Sequence, residues 1–231
     1  PIKTVYQGIK EYLPDADVRY AKGADIIDKH FPESELYDVP LDADEQAMID
    51  EAVALARESE VAILVLGGNE KTVREEYSRT ELDLCGRQEE LLRAVCATGT
   101  PVVLLLVDGR AATINWAARY VPGIVHAWFP GEFMGQAVAR VLFGEYNPGG
   151  KLAVTFPKTV GQVPFAFPFK PGSDSKGFVR VDGALYPFGH GLSYTTFAYS
   201  DLRIDNPVIG VQGSVRLSCR VKNTGGVAGD E

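Results

Sequence analysis

The chain has 231 residues, 45% of them hydrophobic, and a formal net charge of −8 at pH 7. That is apolar material for one domain with a sizeable core, or for one domain plus a fragment. The acidic balance argues against nucleic-acid binding, which uses a basic face. No run of about 18 apolar residues exists to span a membrane.

Cys85, Cys96 and Cys219 are odd in number and not spaced like metal ligands. They imply no disulfide framework and leave the redox compartment open. The two ends, Pro1-Ile2-Lys3 and Asp230-Glu231, read as cuts within a longer protein.

In chain order, residues 4–13 (TVYQGIKEYL) predict a helix and residues 16–23 (ADVRYAKG) a short strand. Residues 44–59 put Ala47, Ile49, Ala52, Val53 and Leu55 on or near one face of a 3.6 period, an amphipathic helix. VAILVLGG (61–68) is a continuous apolar run stopped by two glycines, the pattern of a strand buried on both faces. A helix follows at 88–98, with Gly99 as its stop. A second buried strand is expected at 101–109, a short helix at 114–120, a third strand at 121–131 and a third full helix at 132–144. Glu89, Glu90 and Glu132 lie near helix starts, where the dipole favours negative charge.

Strands alternating with helices predict an α/β fold: a mostly parallel sheet flanked by helices, a flavodoxin-like α/β sandwich with right-handed crossovers. Ligands of such sheets bind outside the carboxyl ends of the strands. Those ends carry Gly67-Gly68-Asn69-Glu70, Asp108-Gly109-Arg110 and Pro130-Gly131-Glu132. Residues 147–177, rich in Pro, Gly and aromatics, predict a long ordered wrapping loop. GSVRLSCRVKNTG (213–225) alternates with period two, and residues 201–231 read as the first strands of an incomplete β-sandwich.

Three segments carry a more specific signal: GGNEKTVREEYSRTELDLCGRQEELLRAV (67–95), WFPGEFMGQAVARVLFGEYNPGGKLAVTFP (128–157) and LYPFGHGLSYTTFAYS (185–200). Together, in this order and spacing, they resemble glycoside hydrolase family 3, the β-glucosidase and β-xylosidase family. The resemblance implies a multidomain retaining, exo-acting β-glycosidase that needs no cofactor. An N-terminal TIM-type barrel would carry an aspartate nucleophile. The α/β domain, residues 1–200 here, would follow. A fibronectin type III-like domain would begin at 201–231. The partners implied are a β-linked glucoside or xyloside and the barrel of the same parent chain. Members of the family are often secreted or periplasmic.

Retaining glycosidases work with two carboxyl groups about 5–5.5 Å apart, a nucleophile and an acid/base. The two can come from different domains that meet across a cleft. Glu70, Glu75, Glu76 and Glu81 are the carboxylates of the first segment. In the family element the acid/base lies four residues before an arginine. Arg79 is that arginine and Glu75 the match, with Glu76 and Glu70 as rivals. Ser78 stands where the family commonly has aspartate. Without the resemblance, each of these glutamates reads as a solvated loop side chain. Asn69 and Arg79 are the expected sugar contacts. An arginine on the acid itself would hold it ionised, so Arg79 is expected to touch a different carboxylate.

The remaining polar candidates read as structural. Asp108 is expected to bond its own turn, and Glu132 to serve the helix dipole. His126 reads as a satisfied core histidine and His190 as structural, while His30 has no evident partner. The three histidines give no metal site. Ser193 lacks the context of a nucleophile elbow, and Gly67-Gly68-Asn69 matches no phosphate loop. Trp128 is expected in the core. Phe165, Phe167 and Phe169 either contact the barrel or line the cleft. A second reading keeps this domain non-catalytic, packing on the barrel and shaping the outer sugar subsite.

Overall fold

A computed structural model of the protein describes residues 2–168 and 181–231. The chain divides into two compact units, Pro1–Ala139 with Leu152–Gly189, and Arg140–Lys151 with His190–Glu231.

The first unit is built on three parallel strands in the order β1 (Ala62–Gly67), β2 (Val102–Val107), β3 (Gly123–His126). Ala62 pairs with Val102 and Leu106 with His126, so Leu64, Leu66, Leu104, Leu106 and Ile124 share one face. That face meets α2 (Ala43–Arg57), α3 (Gln88–Cys96) and α4 (Asn115–Tyr120). These helices contribute Ile49, Ala56, Leu91, Leu92, Val95 and Ala117 to one buried cluster. Fully burying each Leu, Ile or Val stabilises by about 1.5–3 kcal/mol before ordering entropy is counted. The continuous apolar runs read from the sequence are these strands, and Leu104, Leu105 and Leu106 are inaccessible to solvent.

Local chemistry sets the helix starts. Asp42 accepts from the N–H groups of Asp44 and Glu45 while Glu45 reaches back to the Asp42 N–H, a capping box at the head of α2. Thr4 and Gln7 repeat the device at α1 (Val5–Tyr12). Helix α1 meets α5 (Met134–Leu142) at Gly8 and Gly135. A Cβ on either glycine would run into backbone of the other segment, so this crossing is backbone against backbone.

Several expected elements differ in extent. Residues 16–23 form no strand. Among the described residues their backbone-to-backbone bonds are local, such as Val18 N–H to the Ala16 carbonyl at 3.0 Å, and the Val18 carbonyl takes the Tyr6 hydroxyl at 3.5 Å instead of a strand partner. Period-two residues alone do not make a strand when no neighbour offers a ladder. The third strand ends at His126 rather than 131. Trp128 at φ 54° and Gly131 at φ 75° turn the chain out of extended geometry. Residues 131–133 form one 3-10 turn, so Glu132 lies ahead of α5 rather than inside it. Among its described residues the wrapping loop holds a 3-10 turn, Val160–Gln162, and an isolated bridge from Phe156 to Tyr186.

The second unit is an antiparallel pair, β4 (Phe197–Ile204) and β5 (Leu217–Asn223), with a bulge between Ser200 and Arg203. Its first strand starts inside the third motif, four residues before the 201–231 stretch read as strands from the sequence. Tyr199 pairs with Val221 and Ile204 with Leu217 on one side, while Ser200–Arg220 and Arg203–Ser218 occupy the other. The pair therefore has one apolar and one charged face, and every residue of β5 is exposed. Asn147 anchors the unit: its Oδ1 accepts from the Ser193 hydroxyl at 3.0 Å and the Tyr194 N–H at 2.7 Å. Ser193 is thus a loop tether.

Candidate active-site loop

The first motif begins where β1 ends. Gly67 has φ 141°, and a Cβ there would strike the Val107 carbonyl of the neighbouring strand. Only glycine fits this exit. Gln88, 2% exposed at the first position of α3, closes it from the other side. Its Oε1 accepts from the Gly67 N–H at 2.7 Å. Its Nε2 donates to the carbonyls of Gly67 (2.9 Å), Cys85 (3.0 Å) and Ile26 (3.2 Å). One amide thus ties the strand end to the far end of the motif and to an upstream segment.

The chain then makes a tight turn. Asn69 Oδ1 accepts from the Lys71 N–H at 2.9 Å. Thr72, 1% exposed, accepts from the Asn69 N–H through Oγ1 at 3.0 Å and returns the hydroxyl to the Asn69 carbonyl. Residues 74–78 follow, all exposed. Tyr77 is held in this span: its carbonyl accepts from Arg110 Nη2 at 2.7 Å and its ring lies under the Arg74 guanidinium, 4.5 Å from the centroid.

The downstream root is buried again. Arg79, with only 8% of its side chain exposed, pairs through Nε with Glu35 and donates through Nη2 to the Asp83 carbonyl at 3.0 Å. The arginine therefore contacts a carboxylate outside the loop, a different one from the loop glutamates, as expected. Asp83 in turn accepts from the Thr113 hydroxyl.

Glu75, Glu76 and Glu70 are exposed, and among the described residues no hydrogen bond or ion pair engages their side chains. Glu81 is likewise exposed, one residue beyond Thr80 in the anchored root. Glu76 adopts φ 67°, so the chain reverses direction next to Glu75. The geometry thus presents the three glutamates at the carboxyl end of a parallel sheet, on a short span between two fixed roots. Asn69 spends its Oδ1 on the turn, whereas its Nδ2 meets no protein acceptor among the described residues.

Asp108 ends β2 beside this loop and is 8% exposed. It accepts from the Arg110 N–H at 3.2 Å, the turn role expected of it. Burial raises its pKa, opposed by the backbone N–H groups of Arg110 and Gly109 and by the nearby arginines.

His126 calls for a correction. It is half-buried, its ring edge-on to Trp128 (4.2 Å between centroids) and Phe156 (5.3 Å). Its two ring nitrogens, however, make no hydrogen bond of regular geometry among the described residues, the Arg110 backbone being the one polar group that acts on the ring. The aromatic walls that the second motif supplies offer no acceptor. Burial pushes its pKa down to about 4, with the Arg110 backbone opposing part of the shift. The folded domain therefore binds fewer protons than the unfolded chain between about pH 6.5 and 4, and stability falls as the pH drops through that window. Replacing His126 with Phe should remove this component. On acidification through the window, the unfolding temperature of the variant should fall less than that of the parent; equal losses would exclude the mechanism.

Phe167 stacks on Phe188 at 4.7 Å and 3°, both exposed, and Phe165 is partly buried. Phe169 lies outside the described residues. The sequence named the glutamates, Arg79 and Asn69 as candidates and Arg110 as part of a strand end, but gave no sign of Glu35 or Thr72. Gln88 was visible as the residue opening α3, though its four bonds were not. Glu35 sits in a segment with no motif, and nothing in its own sequence marks it.

An α/β domain with a glutamate-bearing loop at the carboxyl edge of its sheet defines the class. The comparisons with known proteins supply the family. Residues 1–194 match the glycosyl hydrolase family 3 C-terminal domain. A β-xylosidase of Formosa agariphila is 40% identical over 233 residues, covering 99% of this chain and 30% of that protein. A periplasmic β-glucosidase of Salmonella typhimurium is 40% identical over 96% of this chain and 31% of its own length. Among solved structures, a β-glucosidase from Erythrobacter marinus superposes with a TM-score of 0.85 at 37% identity, over 96% of this chain and 32% of its own. The chain belongs to glycoside hydrolase family 3. It spans about a third of the length of the relatives it matches.

Proposed function

We propose that this chain is the acid/base-bearing part of a retaining exo-acting β-glycosidase, of β-glucosidase or β-xylosidase type. Glu75 serves as the acid/base, and a barrel elsewhere in the same protein supplies the nucleophile. The observation that carries the reading is the loop: it leaves the carboxyl end of β1, is fixed at both roots, and holds Glu75 exposed and unengaged between them. A carboxyl group that must protonate a leaving oxygen and then activate water has to be free of structural partners. Glu76 and Glu70, on the same span, are the rivals.

In this reading Asn69 offers its free amide to a sugar hydroxyl. Arg79, largely buried, acts on the loop rather than on the sugar. Residues 1–200 form the α/β domain and 201–231 open a fibronectin type III-like domain.

A single carboxylate has no route to a glycosyl-enzyme intermediate. The 231-residue chain alone should therefore show no hydrolysis of nitrophenyl β-glucoside or β-xyloside above the uncatalysed rate. The protein carrying the barrel should hydrolyse at least one of them. Robust turnover by the chain alone would overturn the division of labour.

A further inference from the structure

Glu35 is a carboxylate that the proposed reaction does not use, yet it is more heavily engaged than any glutamate in the loop. It lies at the end of a 3-10 turn, Glu33–Glu35, and only 9% of its side chain is exposed. Four donors converge on its two oxygens. Oε1 takes Arg79 Nε and, at 3.8 Å, the thiol of Cys85. Oε2 takes the Thr80 N–H at 3.2 Å and the Thr80 hydroxyl at 3.0 Å. All four come from the downstream root of the glutamate loop, residues 79–85. The Cys85 thiol stays a neutral donor, because burial pushes its pKa up to about 11.

The turn that presents Glu35 is itself fixed. Asp28 accepts the Ser34 hydroxyl at 2.7 Å and the His30 N–H at 2.7 Å. Gly86, at φ 58°, packs its Cα face against Asp28 and Asp25, where a Cβ would be crowded. The anchorage thus runs from the upstream segment through Glu35 to Arg79, four residues after Glu75. On the other side of Glu75 the nearest buried residue is Thr72. Between these points, among the described residues, the backbone makes two local bonds, Val73 N–H to the Asn69 carbonyl at 2.8 Å and Tyr77 N–H to the Arg74 carbonyl at 3.3 Å, and its one longer-range tie is the Tyr77 carbonyl held by Arg110.

From this we infer that Glu35 is a positioning residue for the acid/base: it sets the height and direction of the span that carries Glu75 without touching the sugar. The inference rests on the reading of Glu75 given above. Its physical basis is that proton transfer needs the carboxyl within hydrogen-bond reach of the leaving oxygen, and a displacement of about 1 Å can cost about a hundredfold. A substitution at Glu35 releases Arg79 and Thr80 together and frees the span at one end.

The test uses the full-length protein with Glu35→Gln, Glu35→Asp and, in parallel, Glu75→Gln. Glu35→Asp keeps the buried charge opposite Arg79 but withdraws the carboxylate by one bond length, so it serves if Glu35→Gln fails to fold. The readout is kcat/KM for an aryl glycoside with an activated leaving group, divided by kcat/KM for an alkyl glycoside that needs protonation. Both values come from one sample, so loss of folded protein cancels from the ratio.

The ratio should rise about tenfold or more in whichever Glu35 variant folds, and further in Glu75→Gln. Equal losses on both substrates, or no change in the ratio, would reduce Glu35 to a fold-stabilising residue and overturn the proposal. If Glu75→Gln itself leaves the ratio unchanged, the acid/base reading fails and the Glu35 role falls with it. A Glu75 effect without a Glu35 effect overturns the positioning role alone.

Discussion

Glu75→Gln in the full-length protein is expected to lower kcat/KM for alkyl glycosides and disaccharides by about 10²–10⁴-fold, the usual weight of a positioned general acid. For aryl glycosides whose leaving groups depart unprotonated, kcat/KM should change little. Their turnover should then stall at the glycosyl-enzyme, because the base that activates water is gone. Azide, which needs no base, should restore part of that turnover. The amide is nearly isosteric, and the Glu75 side chain makes no hydrogen bond or ion pair among the described residues, so folding should be untouched. If the same pattern appears with Glu76→Gln or Glu70→Gln instead, the role moves along the loop. If none of the three shows it, the non-catalytic reading of this domain is favoured.

The largest expected effect on stability comes from Gln88→Leu. Gln88 is 2% exposed and satisfies four backbone groups: the N–H and carbonyl of Gly67 and the carbonyls of Cys85 and Ile26. Leucine fills a similar volume but bonds none of them. Orphaning a buried polar group costs about 1–3 kcal/mol, and the carbonyls can share part of the loss with water as the turn relaxes. A net destabilisation of about 3 kcal/mol is expected, or roughly 6–12 °C in Tm for a unit of this size. Equilibrium unfolding with intact m-value would measure it. A change below about 1 kcal/mol would mean that the amide's bonds are replaceable.

The sheet was legible because its strands announce themselves. VVLLLV, the central strand, is buried on both sides, whereas AILVLG, at the sheet edge, is buried on one and exposes Val65 on the other, a correction to the doubly buried strand expected there. A chain that alternates such runs with amphipathic helices still has few other ways to fold. The glutamate loop was legible through resemblance and through its place after a strand. What could not be read was long-range. Residues 16–23 have strand-like composition, yet no ladder partner lies beside them. His126 sits in an apolar run that says "buried" but not whether an acceptor waits there. Glu35 and Arg79 are 44 positions apart, and only the folded chain brings them together. Period and composition report what one segment prefers, whereas ion pairs and amide clamps depend on which segments meet.

The loop's two ends are locked and its middle is not. Gly67, Thr72, Arg79 and Gln88 are each fitted to a buried neighbour, while residues 74–78 answer mainly to solvent. Mutation can therefore rewrite the middle, or lengthen it, at little thermodynamic penalty, while the roots tolerate almost no drift. A domain arranged this way is an adjustable arm on a rigid mount. The length and direction of that arm can change long before the fold beneath it does.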